Sequence, residues 1–299
     1  MHLKKLEMRN RFIDNLCKYA DNDESIILIV GDLGFNVVEK FQKKYPKQFI
    51  NAGICEQSMA SMAAGMAKEG FKVFIYSIAN FPTFRCAEQI RNDICYHNLD
   101  VTIVTVGGGL SYGSLGYSHH AIQDYGLMRL FPEISIISPG DPNEVDLSFE
   151  FIMRDTSPKY LRLRKTGEPI FNKNEKLELP GFWNRVKEGR DNKALLSTGY
   201  GLKLAFDLVK TNKFQNYSIF SCPIWGNKYK KFQFKQILKH DKIITIEDHL
   251  LSGGFGSWIR ESIINKKNNI NLGHAFIDDD IIGKVGSEEY LLKYMTIDE

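Results

Sequence analysis

The 299-residue chain is short of cysteine, of net charge and of long apolar runs, and each shortage removes a class of function. Cys17, Cys55, Cys86, Cys95 and Cys222 form an odd set without metal-ligand spacing. That predicts reduced thiols in a cytoplasmic protein, not a disulfide framework or a zinc centre. Charge is nearly balanced, with 39 Lys and Arg against 36 Asp and Glu. A net charge of +3 argues against nucleic acid or a membrane surface as partner. No run approaches the ~20 apolar residues that cross a bilayer. The opening Met1-His-Leu-Lys-Lys-Leu-Glu lacks the apolar core of a signal peptide.

What is present is alternation. Short apolar runs (Ile26–Val30, Phe71–Tyr76, Val101–Val106, 134–137, 159–163) are separated by helical patterns at 8–20, 36–44, 56–68, 84–97, 121–130 and 142–153. Residues 165–192 lose periodicity and gather Gly, Pro, Asn and Lys, which reads as a linker or an irregular crossing segment. A second alternation follows, with strands near 194, 218 and 242 and helices at 201–211, 229–239 and 254–265. Short, mostly apolar runs alternating with helices predict parallel sheets covered on both faces.

Within this pattern Glu56 stands out. It follows the short apolar run Phe49-Ile50 and opens the small-residue helix that continues Gln57-Ser-Met-Ala-Ser-Met-Ala-Ala. Flanking Ile54 and Met59 suggest poor solvation, which would raise a carboxyl pKa toward proton sharing. The plainer alternative is a first-turn acid stabilised by the positive end of the helix dipole.

Three segments occur in order: Asn51-Ala-Gly-Ile-Cys-Glu-Gln, then Ser77-Ile-Ala-Asn-Phe-Pro-Thr-Phe-Arg-Cys-Ala-Glu-Gln-Ile-Arg, then Gly116-Tyr-Ser-His-His-Ala-Ile-Gln-Asp. Together with Glu247-Asp-His-Leu-Leu-Ser-Gly-Gly-Phe-Gly-Ser they resemble the C-terminal half of transketolase in its split, two-chain form. The resemblance implies an α/β fold of two parallel-sheet, three-layer domains. Residues 1–180 would be a thiamine-diphosphate pyrimidine-binding domain and 181–299 a transketolase C-terminal domain. It also implies roles. Glu56 matches the family's carboxyl that hydrogen-bonds the cofactor's pyrimidine nitrogen, and Phe81 the aromatic on which the pyrimidine stacks. Ile78 and Phe84 would wall that pocket, and Asp32 would lie near the cofactor. His119 would face the substrate hydroxyl, with His120 behind it. Lys165 stands where the family binds phosphate through Arg. Pro82 and Asn80 fit a tight helix entry, and Arg85 reads as structural.

The family binds the pyrophosphate and its Mg2+ or Ca2+ through Gly-Asp-Gly and a later Asn. No Gly-Asp-Gly occurs in this chain, and Gly31-Asp-Leu-Gly is no substitute. The metal ligands are therefore expected on a transketolase N-terminal-type partner chain carrying the pyrophosphate domain, with the pair assembling as α2β2. The glycine-rich run from Gly107 to Gly113 lacks the Lys-Ser/Thr of a phosphate loop and reads instead as a flexible active-site loop.

The chain also departs from the family. Leu115 replaces an Asp that reads donor hydroxyls, and Gly107 a His that helps bind phosphate. These losses point away from ordinary pentose phosphates and toward unusual or branched sugars. Transfer of a two-carbon ketol unit from a ketose donor to an aldehyde or ketone is the leading expectation. The paired histidines also echo the β-subunit of 2-oxo-acid dehydrogenases, and a non-catalytic scaffold is a third reading.

Overall fold

The computed structural model describes residues 6–165, 167–266 and 270–299. After β1 (Leu6–Glu7) the chain supplies β2 (Ile26–Val30), β3 (Phe49–Asn51), β4 (Lys72–Ile78), β5 (Val101–Val106), β6 (Ser135–Ile137) and β7 (Lys159–Leu163). These six are parallel neighbours in the order β6-β7-β5-β4-β2-β3. Every residue of β2, β5 and β7 is buried, as expected of strands covered on two faces. One cover is made by the helices Met8–Ala20 and Pro142–Arg154, the other by Glu56–Lys68 and the π-helical turn Ile90–Cys95. Alternate β2 residues serve the two sides: Ile26, Leu28 and Val30 face one cluster, Ile27 and Ile29 the other.

The second half supplies β8 (Gly167–Glu168), β9 (Asn184–Lys187), β10 (Lys193–Ser197), β11 (Ser218–Ser221), β12 (Ile224–Trp225), β13 (Lys242–Leu250), β14 (Asn271–Ile277) and β15 (Met295–Asp298). Its sheet runs β15-β14-β13-β10-β11-β9, parallel at the centre with antiparallel edges β15 and β9. Both halves are thus α/β with mostly parallel sheets, as the alternation predicts.

The stretch read as a linker is more ordered than its composition suggests. β8 pairs back with β1, and β9 forms the edge of the second sheet. Between them Asp141, which caps the Pro142–Arg154 helix, also accepts the backbone N–H of Phe171 and Asn172. A buried carboxylate so placed satisfies several donors at once and pins the crossing chain.

β12 leaves the second half to pair antiparallel with β6 at the edge of the first sheet. Its Trp225 packs edge-on against Tyr125 and Phe255 and tilted against Trp258, so one apolar cluster runs between the two sheets. The predicted helix 84–97 is a broken path of Asn80–Phe84, Ala87–Gln89 and the π-helical turn, which buries Ile90, Ile94 and Cys95.

Candidate functional site

In the first sheet β2 leads to β3 on one side, while neighbouring β4 leads to β5 on the other. The crevice outside the carboxyl ends of such diverging strands is where open α/β sheets take ligands. Gly31 ends β2, Ser77 lies in β4, and Glu56 opens the helix after β3, so chain path alone directs all three there. A Cβ added at Gly31 would lie 3.7 Å from Ser77 Oγ and 3.8 Å from Glu56 Cγ. Ser77 Oγ is fully buried and has no hydrogen-bond partner among the described residues. An unpaired buried hydroxyl costs stability unless a ligand or water meets it.

Glu56 is 5 % exposed, although Ile54 beside it is 78 % exposed. Its carboxylate therefore sits against the sheet edge at Gly31, while Ile54 faces solvent. Arg85 Nη1 donates to Glu56 Oε1 at 2.9 Å, and the same guanidinium carbon lies 4.0 Å from the centroid of Phe81. Phe81 in turn meets His119 at 5.3 Å between ring centroids, inclined 71°. Tyr112 stands beyond His119 at 6.1 Å, and Lys165 Nζ lies 4.6 Å over the Tyr112 ring. Glu56, Phe81, His119 and Lys165, scattered over the first half of the sequence, thus form one continuous series of contacts.

The loop bearing His119 is held by Asn80, whose Nδ2 donates to the carbonyls of Ser118 and His120, each at 3.0 Å. His119 Nδ1 is engaged by Ser118 Oγ at 3.0 Å. Burial, then the neighbouring His120 and Arg85, lower the His119 pKa from its ordinary value, which favours neutral imidazole. Buried His120 directs Nε2 at the Gly113 carbonyl, 3.1 Å away. A carbonyl only accepts, so Nε2 carries a proton, while Nδ1 is unpaired among the described residues.

Other expected residues lie around this series. Asp32 is exposed, takes a left-handed conformation (φ 53°) and accepts from Asn51 Nδ2 at 3.0 Å. Ile78 lines a cavity of about 170 Å³ beside Phe35, Tyr76 and Val106. Phe84 is half exposed. The cavity at Ile78 also holds residues that sequence reasoning passed over: Arg9, Ser77 and Tyr112. Arg9 Nε is buried without a partner among the described residues, so a guanidinium and hydroxyls converge on a space suited to a small anion or polyol. The position of Ser77 at the carboxyl end of a central parallel strand could have flagged it. Arg9 carries no local signal, because only the folded chain brings its helix there. Asp124 joins the buried ion cluster around Arg162.

The run from Gly107 is a packed turn and makes no anion cradle. The N–H groups of Gly107 and Gly108 donate to Leu163 and that of Gly109 to Ala121. A Cβ at Gly107 would fall 2.1 Å from the Tyr112 ring, one at Gly108 2.6 Å from Arg162, and one at Gly109 1.9 Å from Asp248. Arg162 and Arg164 near Lys165 are both buried in ion pairs, Arg162 with Asp124 and Asp248, Arg164 with Glu168 and Glu288. Exposed Lys165 is left as the cation at the end of β7.

The residues present fit a flat, N–H-bearing heterocycle: a buried carboxylate, an aromatic face and an unpaired buried hydroxyl converge. They do not fit a metal. Among the described residues no group of three or more His, Cys, Asp or Glu is placed to hold one. No helix among them is long and apolar enough to cross a membrane.

Known proteins resemble the chain over nearly its whole length. A transketolase C-terminal section of Methanocaldococcus jannaschii is 29 % identical over 298 residues, covering 97 % of this chain and 92 % of that protein. An apulose-4-phosphate transketolase subunit of Actinobacillus succinogenes is 28 % identical over 299 residues, covering 97 % and 94 %. The solved structure of a split-gene transketolase, an inactive β4 tetramer, superposes with a TM-score of 0.82 at 25 % identity, covering 97 % of this chain and 94 % of that one. Residues 4–167 match the family described as transketolase, pyrimidine binding domain, and the chain therefore belongs to the transketolase family.

Proposed function

We propose that this chain is one subunit of a thiamine-diphosphate-dependent enzyme that moves a two-carbon ketol unit from a ketose donor to an aldehyde or ketone acceptor. The observation that carries the reading is the convergence of Glu56, Phe81 and His119 at the carboxyl edge of the first sheet. Similarity to an apulose-4-phosphate transketolase subunit and to a split-gene transketolase supports ketol transfer and a subunit role. Division near residue 180, into a pyrimidine-binding and a C-terminal domain, belongs to the same proposal.

Bound thiamine diphosphate supplies the nucleophilic carbon and the electron sink. Glu56 would donate or share a proton at the pyrimidine ring nitrogen, and the Phe81 face would hold the ring flat. Neutral His119 would accept the proton of a substrate hydroxyl as the neighbouring carbon–carbon bond breaks. His120, its Nε2 held by the Gly113 carbonyl, would keep that loop in place. Lys165 would hold a terminal phosphate or carboxylate as a point charge. Leu115, 54 % exposed in the turn before His119, offers no hydrogen bond to a donor hydroxyl, which favours sugars that differ from the usual pentoses, branched ones included.

The partner would be a transketolase N-terminal-type chain bearing the pyrophosphate site and the Mg2+ or Ca2+ ligands, closing as a cytoplasmic α2β2 assembly. Affinity capture of the chain from its own cells tests this directly. The expected result is a stoichiometric partner containing Gly-Asp-Gly, with ketol transfer by the recombinant pair. Capture without such a partner, or a pair inert toward every ketose donor, would sink the proposal.

A further inference from the structure

Arg85 touches both surfaces that a pyrimidine ring would need. Its Nη1 donates to Glu56 Oε1 at 2.9 Å while its guanidinium lies flat enough over Phe81 to bring its central carbon within 4.0 Å of the ring centroid. A guanidinium is planar, presents N–H donors in a fork and stacks on aromatic faces. These are the properties by which an aminopyrimidine would be recognised on the same carboxylate and the same ring. We infer that Arg85 is a built-in competitor for the pyrimidine seat, a side chain that must swing out before the cofactor's ring can reach Glu56 and Phe81. The inference rests on the proposed role of those two residues.

The geometry makes such exchange easy. Glu56 is buried and Phe81 is half-buried, so the seat itself is fixed, but the Arg85 side chain is 49 % exposed. It follows directly on the short helix Asn80–Phe84, at the start of a segment that turns through Ala87–Gln89 into the π-helical turn. The long aliphatic stem lets the head move into water while the backbone stays in place. An ion pair and a cation–π contact with one partner half-exposed are each weak, so the two together hold the head without locking it. Competition lowers apparent affinity by the fraction of time the seat is open. It also gives the buried Glu56 carboxylate a counter-charge whenever the ring is elsewhere, avoiding an unpaired buried anion.

The test is equilibrium binding of thiamine, which carries the aminopyrimidine but no pyrophosphate, to the full chain by titration calorimetry. It is repeated with thiamine diphosphate and Mg2+ on the chain captured with its partner. A competitor predicts that Arg85→Ala tightens binding by about tenfold, the equivalent of 1.4 kcal/mol. Arg85→Lys, which keeps the charge on Glu56 but loses the planar face, should fall between. Unchanged or weaker binding by Arg85→Ala, with binding still lost in Glu56→Gln, overturns the competitor and leaves the seat standing. Binding that ignores Glu56→Gln, or no binding by any form, overturns the seat and the competitor together. Thermal midpoints of all variants confirm that folding is retained, as expected for a half-exposed side chain.

Discussion

Glu56, Gly107 and His119 show how single residues set what this site can do. Replacing Glu56 with Gln keeps shape and burial but removes the anion, so turnover of the assembled enzyme should fall by at least a hundredfold, roughly the scale of a lost catalytic acid–base group. The melting midpoint should move by only a few degrees, and retention of most activity would end the assigned chemistry. Gly107 has no room for a side chain. Its φ is 88°, and the Tyr112 ring fills the space of any side chain. Gly107→His should therefore destabilise the chain by about 1–3 kcal/mol, through left-handed strain and overpacking, and should fail to create a phosphate ligand. Urea unfolding reads the cost; an unchanged midpoint would show that Tyr112 moves aside freely. Glu56, Phe81 and His119 were legible because their segments resemble a family. Arg9 was not, because only the fold brings it to the cavity; Ser77 had only its place at a strand end as a signal, and the contacts of Arg85 with Glu56 and Phe81 appear only in the folded chain.

Elements differ in how much of themselves the sequence displays. The helices Met8–Ala20 and Glu56–Lys68 end where the apolar period ends, β2 is an uninterrupted apolar run, and β5 is broken only by Thr102 and Thr105. β9, β12 and β15 are short, β9 has a single buried residue and β15 none, and all three take their places from neighbouring strands. The segment from Glu247 to Ser257 shows a motif whose physical reason appears only in the fold. Buried Glu247 accepts the N–H groups of Phe255 and Gly256, and a Cβ at Gly254 would sit 2.3 Å from its Oε2. A Cβ at Gly256 would meet His274 Nδ1 at 2.6 Å. His274 on β14 is buried and accepts or donates to Thr245 Oγ1 at 2.7 Å. Burial, then nearby Arg260, push its pKa down to about 4. The folded protein thus binds this proton less readily than the unfolded chain does, so the contribution of His274 to stability falls as pH drops from about 6.5 toward 4. His274→Gln removes the titration. Its stability relative to the parent should rise by up to roughly 3 kcal/mol across that window, at 1.36 kcal/mol per pH unit. Parallel stability curves for the two proteins would disprove it.

At the scale of the whole molecule, the two sheets are joined too tightly to behave as separate bodies. Arg162 at the end of β7 is fully buried, and its guanidinium bonds Asp124 at 2.8 Å, Tyr125 at 3.0 Å, the Ala121 carbonyl at 2.7 Å, and Asp248 on β13 at 2.7 Å. Tyr160 donates a further bond to Asp124 at 2.5 Å, and His249, its pKa pushed down to about 4 chiefly by burial, stacks on Tyr125. Gly108 and Gly109 are what allow Arg162 and Asp248 to come this close. Next to this polar junction lies the apolar one, where Trp225 of β12 donates to Thr198 and packs among Tyr125, Phe255 and Trp258. Arg162→Ala would leave two buried carboxylates facing each other without a cation, so a loss of about 3–5 kcal/mol is expected. Because Asp124 belongs to the first half and Asp248 to the second, that loss should not fall on one half alone. Backbone circular dichroism, which reports both sheets, and tryptophan fluorescence, which reports Trp225 and Trp258 at the junction together with Trp183, should shift to the same lower midpoint in a single transition. Two separated transitions in the variant, with one unmoved from the parent, would mean that the halves fold independently. The site at the edge of the first sheet would then owe nothing to the second.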